Sequence, residues 1–429
     1  MKYNHKHNNP LFACMMGKEL EYYDWTLYGF FIPVLTPLYF PTGNLFLSYV
    51  ESLAIFAVGF LMRPLGGMFF GHLGDRLGRK HALSLSILLV IIPTVTIGIL
   101  PTYESIGLFA PIILLLCRLM QGFCVGGEYT GAAIFVNEHV MKRKSGLWGG
   151  FIGSATFAGS VVATGIGFLL TMPEVPSWAW RIAFIAGGIF GLIGFYIRYN
   201  VKESPDFLAI KETGKVSKHP LLQTLKTHKL PALYTSFIGG AIFIPLYLSS
   251  IYPSVILKTD LQLSSSHIFL INAYVMSLWG LLFPMMGYLS DAIGKQKLMS
   301  WAAIGFIVCA LPVFLLFGTN NWVYILEGQT ILSFVGVAFA APSVSFLPEL
   351  FPANIRYSGL SFSYSVGAAL FGGFTPLIAH VLVEWTGSAV SPAGYLMVGG
   401  LAAWLTLHFL GVGSEGQFSY KRQTLKGIV

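Results

Sequence analysis

The sequence predicts an all-α polytopic membrane protein with twelve transmembrane helices in two pseudo-symmetric halves of six helices each. Three observations predict this fold: the composition, the number of long apolar stretches, and the placement of the basic residues. Of the 429 residues, 55% are hydrophobic and only 10% are charged, whereas about 25% are charged in ordinary soluble domains. Because a soluble surface of this size needs more charge, we expect lipid to solvate much of the exterior.

Twelve apolar stretches are long enough to cross a hydrocarbon core that is about 30 Å thick. Many of them contain Gly or Pro, which membrane helices tolerate when neighbouring groups satisfy the backbone. They lie near residues 20–40, 48–70, 82–100, 108–137, 146–171, 180–199, 232–256, 267–289, 299–317, 322–348, 359–384 and 393–412.

The basic residues indicate the orientation. If the N-terminus is inside, all but five of the 26 Lys and Arg residues fall in inner loops and tails. The exceptions are Arg63, Arg118, Arg181, Arg198 and Lys258, and only Lys258 lies clearly in an outer loop. This asymmetry predicts that both termini are cytoplasmic. It also accounts for the net charge of +8 without nucleic acid, because the chain has no basic, aromatic-interleaved domain.

A polar segment and an internal repeat divide the chain. The segment 201–231 separates six spans from six, which predicts bundles over 1–200 and 232–413, a cytoplasmic linker over 201–231, and a short cytoplasmic tail over 414–429. Residues 71–80 and 287–296 align without a gap at an offset of 216 residues, and both contain the pattern Asp-x-x-Gly. Duplicated six-span halves are typical of transporters that bind their substrate at the midplane of the membrane.

Ionisable residues inside the apolar stretches are candidates for function, because such groups are costly in a bilayer and usually face a cavity or a partner. In the first span, helical spacing allows Glu21, Asp24 and Tyr28 to face one cavity. We predict that Asp24 or Glu21 carries a coupling proton; the alternative is a pairing with a loop lysine such as Lys18. Glu128 in the fourth span is a further candidate for the proton.

The other candidates in the spans concern the substrate. Arg118 lies near the middle of the fourth span, where a guanidinium can bind a carboxylate through two hydrogen bonds; the alternative is an interhelical ion pair. Gln121 and Asn272 are candidate polar contacts. Aromatic side chains can surround a quaternary ammonium group by cation–π attraction, and the candidates in core spans are Tyr28, Tyr247, Tyr252, Trp279 and Tyr364.

The repeated loop predicts a gate more than a binding site. Its charges can hold the cytoplasmic helix ends together in one state and release them in another, although positive-inside topology alone would also place cations there. The predicted gating residues are Asp75, Arg76, Gly78, Arg79, Lys80 and Asp291, with Arg63 and Glu138 as further partners.

Several motifs resemble those of the major facilitator superfamily and, within it, of the metabolite–proton symporters. Residues 71–80 read Gly-His-Leu-Gly-Asp-Arg-Leu-Gly-Arg-Lys, and residues 118–122 read Arg-Leu-Met-Gln-Gly. Further similar stretches are 21–29, 63–67, 122–131, 180–182 and 349–359. The fifth span lacks the Gly-Pro signature of facilitator antiporters.

The resemblance covers both halves and carries specific expectations. It implies proton-coupled symport of a small carboxylate-bearing metabolite, either a proline- or betaine-type osmolyte or an organic acid such as citrate, α-ketoglutarate or shikimate. It also implies a monomer in a bacterial inner membrane, with no cofactor and no metal.

Three other classes of protein are alternatives to a symporter, besides an enzyme. Glu203-Ser204-Pro205 would suit a sugar facilitator, but the acids of the first span disfavour one. An enzyme is disfavoured because the chain has no Gly-x-x-x-x-Gly-Lys-Ser/Thr, His-Glu-x-x-His or Gly-x-Ser-x-Gly pattern. A receptor on the same scaffold would bind ligand without moving it and would tolerate loss of Asp24 and Arg118. A channel would not concentrate its solute.

Overall fold

The computed structural model describes residues 10–138, 144–200, 203–213 and 219–426, which form a bundle of twelve long helices. The first six are α1 (Pro10–Tyr39), α2 (Leu45–Leu61 and Arg63–Arg76), α3 (Arg79–Ile99), α4 (Phe109–Val125 and Glu128–Asn137), α5 (Ser145–Leu170) and α6 (Trp180–Tyr199). The second six are α7 (Lys229–Ser249 and Ile251–Thr259), α8 (Ser265–Ile293), α9 (Lys295–Phe317), α10 (Trp322–Phe346, with the 3-10 turn Leu347–Leu350), α11 (Arg356–Gly367, the π turn Ala368–Gly372 and Thr375–Thr386) and α12 (Pro392–Lys426).

These helices confirm the predicted fold class. By length and composition alone, ten of them qualify as membrane spans, and α1 and α12 complete the twelve. Short helices lie in the loop between α3 and α4, at Tyr103–Ile106, and in the polar segment between α6 and α7, at Pro205–Glu212 and Pro220–Thr227.

The observed helices are longer than the apolar stretches from which they were predicted. Helix α1 begins at Pro10 rather than near residue 20, and α12 continues to Lys426, through most of the predicted tail. Hydropathy marks only the part of a helix that lies in hydrocarbon, whereas the hydrogen-bonded backbone can continue into water. Local signals fix other starts: the side chains of Asn44 and Asn321 accept hydrogen bonds from the Leu47 and Val323 amides at the first turns of α2 and α10.

The internal repeat is visible in the backbone. Gly78 and Gly294, at equivalent positions of the repeat, have φ of 118° and 100° and immediately precede α3 and α9. Residues with a side chain rarely adopt such angles, so both turns need glycine. We call the end of the bundle that carries these two turns the inner end, because the sequence predicts it to be cytoplasmic.

Two helix pairs form the most extensive contacts between the halves. The most extensive pairing is between α5 and α8, and the second segment of α2 packs along the first segment of α11. Glycines permit the closeness of both pairs near the inner end. A Cβ on Gly146 would lie 2.5 Å from the Gly287 carbonyl oxygen, and one on Gly71 would lie 2.8 Å from the Ser358 Cα. The inner end is therefore closed in this structure.

Within the first half, the crossing of α2 and α4 also depends on glycine. A Cβ on Gly122 would lie 1.7 Å from the Gly59 carbonyl oxygen, and one on Gly126 would lie 2.2 Å from the Arg63 carbonyl oxygen. The sequence predicts close helix packing for the Gly122/Gly126 pair. At the same crossing a Cβ on Gly59 would lie 3.2 Å from the Arg118 carbonyl oxygen, so Arg118 of α4 lies beside α2 one turn before Arg63.

Candidate functional site

A chain of polar side chains crosses the centre of the first half, from α4 through α3 to α1. Arg118 Nη1 donates to Gln121 Oε1 at 2.9 Å, and Gln121 Nε2 donates to Thr94 Oγ1 at 3.0 Å. The Thr94 hydroxyl donates to Asp24 Oδ1, and Gln121 Nε2 lies 3.4 Å from Asp24 Oδ2. Asp24 is 3% exposed and Arg118 is 0% exposed. The Arg118 guanidinium and the Asp24 carboxylate are thus connected by hydrogen bonds through two neutral side chains, Gln121 and Thr94.

The Arg118 guanidinium is surrounded mainly by aromatic rings. Its Cζ lies 4.5 Å from the Trp25 ring centroid, 4.6 Å from that of Tyr28 and 5.7 Å from that of Phe56. Its Nε and Nη2 atoms have no hydrogen-bond acceptor within the described part of the chain. These two N–H groups form one edge of the guanidinium, which matches the spacing of two carboxylate oxygens. Of these three rings, Tyr28 was predicted from the sequence. Its hydroxyl donates a hydrogen bond to the Ser52 carbonyl oxygen at 3.0 Å, which fixes the position of the ring.

A small cavity lies between the two halves beside this cluster. Trp25, Phe56 and Phe157 line it from the first half, and Tyr247 and Met276 line it from the second. Its volume is about 20 Å³, which is room for roughly one water molecule. The halves must therefore separate before a metabolite can enter. Of the aromatic residues predicted for the second half, Tyr247 reaches this cavity.

The other polar and aromatic residues predicted for the second half lie inside its core. Asn272 Nδ2 donates to Ser254 Oγ at 2.8 Å, and Trp279 Nε1 donates to Ser333 Oγ at 2.9 Å. The Tyr364 ring packs against Phe243 with centroids 5.7 Å apart. Tyr252 packs between Phe314 and Phe317. The substrate roles of these residues stay predictions.

Two of the predicted proton carriers, Glu21 and Glu128, are on helices α1 and α4. Their side chains lie outside the described part of the chain.

At the inner end, each half contributes an Asp to the start of a helix in the other half. Asp75 accepts hydrogen bonds from the Tyr357 and Ser358 amides at 3.3 and 2.8 Å, at the first turn of α11. Asp291 accepts from the Gly146 and Leu147 amides at 2.9 Å each, at the first turn of α5. A carboxylate at a helix N-terminus is favourable because it satisfies free amides and faces the positive end of the helix dipole.

A network of ion pairs surrounds these two contacts. Arg79 lies 3.1 Å from Asp75, 3.6 Å from Glu138 and 3.0 Å from the Ala353 carbonyl oxygen. Arg356 also pairs with Glu138, at 3.1 Å. Lys295 pairs with Glu349 at 2.7 Å. The Arg356–Glu138 pair links the two halves, and Lys295 links them by donating to Ser145 Oγ at 2.8 Å. Three residues of this network were not predicted as gating residues: Arg356, Lys295 and Glu349.

The remaining predicted gating residues have different surroundings. Arg76 is exposed and faces His72 at 3.5 Å, and the Lys80 ammonium lies 5.2 Å from the Tyr199 ring centroid. Arg63 lies about 18 Å along the helix from Asp75. It therefore lies at the centre of the bundle and not at the inner end, and its guanidinium packs over Trp25 and Phe60.

Glu203 also contributes to the inner end, although in the sequence it suggested only a sugar facilitator. It accepts hydrogen bonds from the Arg79 and Lys80 amides at the start of α3.

Sequence reasoning missed Thr94 and Trp25. Thr and Trp are both common in membrane helices, so neither stands out in an apolar run. Only the packing of α1 against its neighbours gives them a place beside Asp24 and Arg118.

Buried charged side chains beside a cavity between two six-helix halves, which reciprocal helix caps close at one end, are the arrangement of a membrane transporter. The sequence profile of the Major Facilitator Superfamily matches residues 19–359, and the chain belongs to this family.

Relatives of known name agree with this assignment. The proline/betaine transporter of Escherichia coli K12 is 36% identical over 406 residues, which cover 90% of this chain and 80% of the relative. The glycine betaine/proline/ectoine/pipecolic acid transporter OusA of Dickeya dadantii is 36% identical over 414 residues, or 93% and 82% of the two chains. The proton:xylose symporter XylE shares the fold, with a TM-score of 0.73 over 94% of each chain, at 17% identity.

Proposed function

We propose that this protein is a proton-coupled symporter of small zwitterionic osmolytes of the proline or betaine type. The observation that carries the proposal is the buried edge of Arg118, whose Nε and Nη2 have no acceptor within the described part of the chain. Buried polar groups are normally hydrogen-bonded. A substrate carboxylate would satisfy both donors at once, in the geometry that guanidinium groups prefer.

The names of the relatives support this class of substrate. Proline, glycine betaine, ectoine and pipecolic acid are named for them, and each of these solutes carries a carboxylate and a cationic nitrogen-containing group. A neutral sugar has no carboxylate to offer Arg118. Citrate, α-ketoglutarate and shikimate share the carboxylate, and transport assays separate them from the zwitterions.

The proton is assigned to Asp24. Thr94 and Gln121 connect this carboxylate to Arg118. When Asp24 is ionised, it attracts the guanidinium through Gln121 and competes with a substrate carboxylate. Once Asp24 is protonated, Arg118 becomes free to bind the substrate, so the proton and the substrate favour the same state. Glu21 and Glu128 remain further candidates for the proton.

The inner-end network is assigned to gating. Asp75 and Asp291 hold the starts of α11 and α5 while the inner end is closed, and both contacts must break when the halves separate there. We assign the bundles to 1–200 and 232–413 and the cytoplasmic linker to 201–231. The protein is proposed to act as a monomer in a bacterial inner membrane, with both termini cytoplasmic.

The test is uptake into proteoliposomes. Labelled proline, glycine betaine, α-ketoglutarate and citrate are supplied with and without an imposed inward proton gradient. We expect proline or glycine betaine to accumulate only with the gradient. Equilibration that ignores the gradient would indicate a facilitator, and accumulation of citrate or α-ketoglutarate alone would contradict the zwitterion assignment.

Arg118→Lys sharpens this test, because lysine keeps the positive charge but lacks the paired Nε and Nη2 donors of the guanidinium. Losing a hydrogen bond to a charged group costs about 1.5–3 kcal/mol, so we expect the KM for the transported solute to rise roughly 10- to 100-fold. The matched control is Arg181→Lys. Arg181 also lies over a tryptophan, Trp180, but at the outer end, where it binds the Gly98 and Leu100 carbonyl oxygens. Equal KM changes in both variants would contradict the role of Arg118.

A further inference from the structure

Three aromatic rings surround the guanidinium of Arg63 at the centre of the bundle, and a fourth ring stacks on one of them. The Arg63 Cζ lies 4.1 Å from the Trp25 ring centroid, 4.0 Å from that of Phe60 and 5.5 Å from that of Phe243. Tyr247 stacks on Phe243 with centroids 5.8 Å apart and an interplanar angle of 16°. We call Trp25, Phe60, Phe243 and Tyr247 the aromatic cage. Arg63 is 4% exposed, so the cage holds a cation away from water.

The two halves build the cage together. Trp25 and Phe60 belong to α1 and α2, whereas Phe243 and Tyr247 belong to α7. The pairs meet edge to face: Phe60 lies 5.8 Å from both Phe243 and Tyr247, at 82° and 85°. Trp25 and Tyr247 also line the central cavity. Separation of the halves must therefore open the cage toward that cavity.

The chemistry of the cage suits one kind of ligand group. A cation is attracted to the face of an aromatic ring, and a site lined by rings favours quaternary ammonium groups. Such a group has no N–H to donate, so rings can replace its water without leaving an unmet hydrogen bond. A guanidinium is weakly hydrated and stacks on aromatic rings in a similar way. Arg63 therefore occupies a place in which a methylated ammonium group would also be stable.

We propose that the aromatic cage is the ammonium subsite of the transporter and that Arg63 occupies it as a tethered competitor when the halves are closed. The inference rests on the proposed function and adds the residues that would recognise the cation of the substrate. Trp25 connects the two subsites, since its ring contacts both the Arg63 and the Arg118 guanidinium groups. A zwitterion would place its carboxylate at Arg118 and its ammonium group in the cage.

The position of Arg63 allows it to leave the cage. It is the first residue of the second segment of α2, directly after the break at Met62. A small rotation at this break moves the Arg63 side chain while the first segment, which carries Phe60, stays in place. An ammonium group that enters would displace Arg63, and its departure on the other side would let Arg63 return. The cation of the protein would then close the site without a bound substrate.

The experiment measures direct binding of radiolabelled tetramethylammonium and of radiolabelled glycine betaine to the full-length protein in lipid nanodiscs. Tetramethylammonium carries only the cationic group, so it reports on the cage independently of Arg118. We expect Phe243→Leu to weaken the binding of both probes roughly 5- to 10-fold. The matched control is Phe237→Leu, the same change on α7 at a ring that packs on Phe371 instead.

A second variant tests the competitor directly. Arg63→Gln removes the tethered cation, so tetramethylammonium should bind roughly 5- to 10-fold more tightly, whereas Arg181→Gln should leave its affinity unchanged. Unchanged or weaker tetramethylammonium binding in Arg63→Gln would show that Arg63 does not compete for the cage. Equal effects of Phe243→Leu and Phe237→Leu would show that the cage is not the ammonium subsite. This second comparison tests the cage even if Arg63→Gln does not fold.

The outcomes also separate this inference from the proposed function. If the protein binds tetramethylammonium in a Phe243-dependent way but binds neither glycine betaine nor proline, the cage stands and the substrate assignment fails. If glycine betaine binds but tetramethylammonium does not, the proposed function stands and the cage is wrong.

Discussion

The charged residues at the inner end come as equivalent pairs from the two halves, whereas those at the centre come from one half. Asp75 and Asp291 lie 216 residues apart at matching positions of the repeat, and each caps a helix of the opposite half. At the centre, Asp24, Arg63 and Arg118 all belong to α1, α2 and α4. In α7 to α11, every Asp, Glu, Lys and Arg lies within two turns of a helix end.

This difference indicates that the charged residues at the inner end and those at the centre have different functions. Closing one end of a two-half bundle requires contacts from both halves, so the same Asp cap can be used in each half. Moving a proton together with a solute needs only one set of ionisable groups. The second half supplies neutral surfaces instead, such as the Phe243 and Tyr247 rings. Proton coupling at the centre should therefore be lost only when charged residues of the first half are changed, whereas closure of the inner end should respond to changes of charged residues in either half.

The largest effect should follow from removing the central carboxylate. We expect Asp24→Asn to abolish gradient-driven accumulation, because the amide cannot carry a proton, while exchange of labelled for unlabelled solute continues. The measurement is uptake with an imposed proton gradient beside counterflow without one. Asp260→Asn is the matched control, since Asp260 is an exposed acid after the end of α7 in the second half. Full uphill uptake by Asp24→Asn would remove Asp24 as the carrier, and equal loss in the control would remove the asymmetry.

The same comparison shows what the sequence could predict. The charged central residues were found because an ionisable group in an apolar run is rare and costly. The repeated Asp-x-x-Gly loops were found because they are polar and periodic. Of the aromatic cage, Tyr247 was selected from the sequence, but Phe60 and Phe243 could not be, since they are two of 35 phenylalanines. Only the packing of α7 against α2 distinguishes them.

Helix ends and breaks show the same limit. Hydropathy located all twelve spans but not the break at Met62 or the π turn at Ala368–Gly372. Pro64, directly after the break, has no N–H to continue a helix, but Pro93 lies inside the continuous helix α3, so a proline alone does not locate a break. Among the candidate residues of the second half, Tyr247 reaches the cavity, while Asn272 and Trp279 lie in the core. Residue type predicted their depth in the membrane but not the direction of their side chains.

A smaller effect should follow at the inner end, and it should appear in both halves. Asp75→Asn weakens the cap on α11, and Asp291→Asn weakens the cap on α5, each by about 1–2 kcal/mol. We expect roughly tenfold faster amide hydrogen exchange near 356–361 in the first variant and near 145–150 in the second. Because both caps close the same end, each variant should also speed exchange at the other cap, though less.

Mass spectrometry of the protein in nanodiscs measures this exchange. The Asp75 change should have the larger effect, since Arg79 pairs with Asp75 at 3.1 Å with both side chains buried. If only one of the two variants opens the inner end, the two caps do not contribute equally to its closure, and the symmetry of the sequence repeat does not extend to function.

The smallest effect concerns the neutral link between Asp24 and Arg118. Thr94→Val keeps the shape of the side chain but removes the hydroxyl that donates to Asp24 and accepts from Gln121. Hydrogen bonds to charged groups contribute about 1.5–3 kcal/mol. Gln121 still lies near the carboxylate, so we expect only a roughly 3- to 10-fold loss in the rate of gradient-driven uptake. Counterflow should change less, because it does not require Asp24 to exchange its proton.

The control is Thr96→Val, one half-turn further along α3, where the hydroxyl bonds to the Ile92 carbonyl oxygen of its own helix. It should match the unmodified protein in both assays. If Thr94→Val lowers counterflow as much as driven uptake, Thr94 supports the packing of α3 against α1 and not the coupling. In that case the link from Asp24 to Arg118 runs through Gln121 alone, and Gln121→Leu should then show the loss of coupling that Thr94→Val did not.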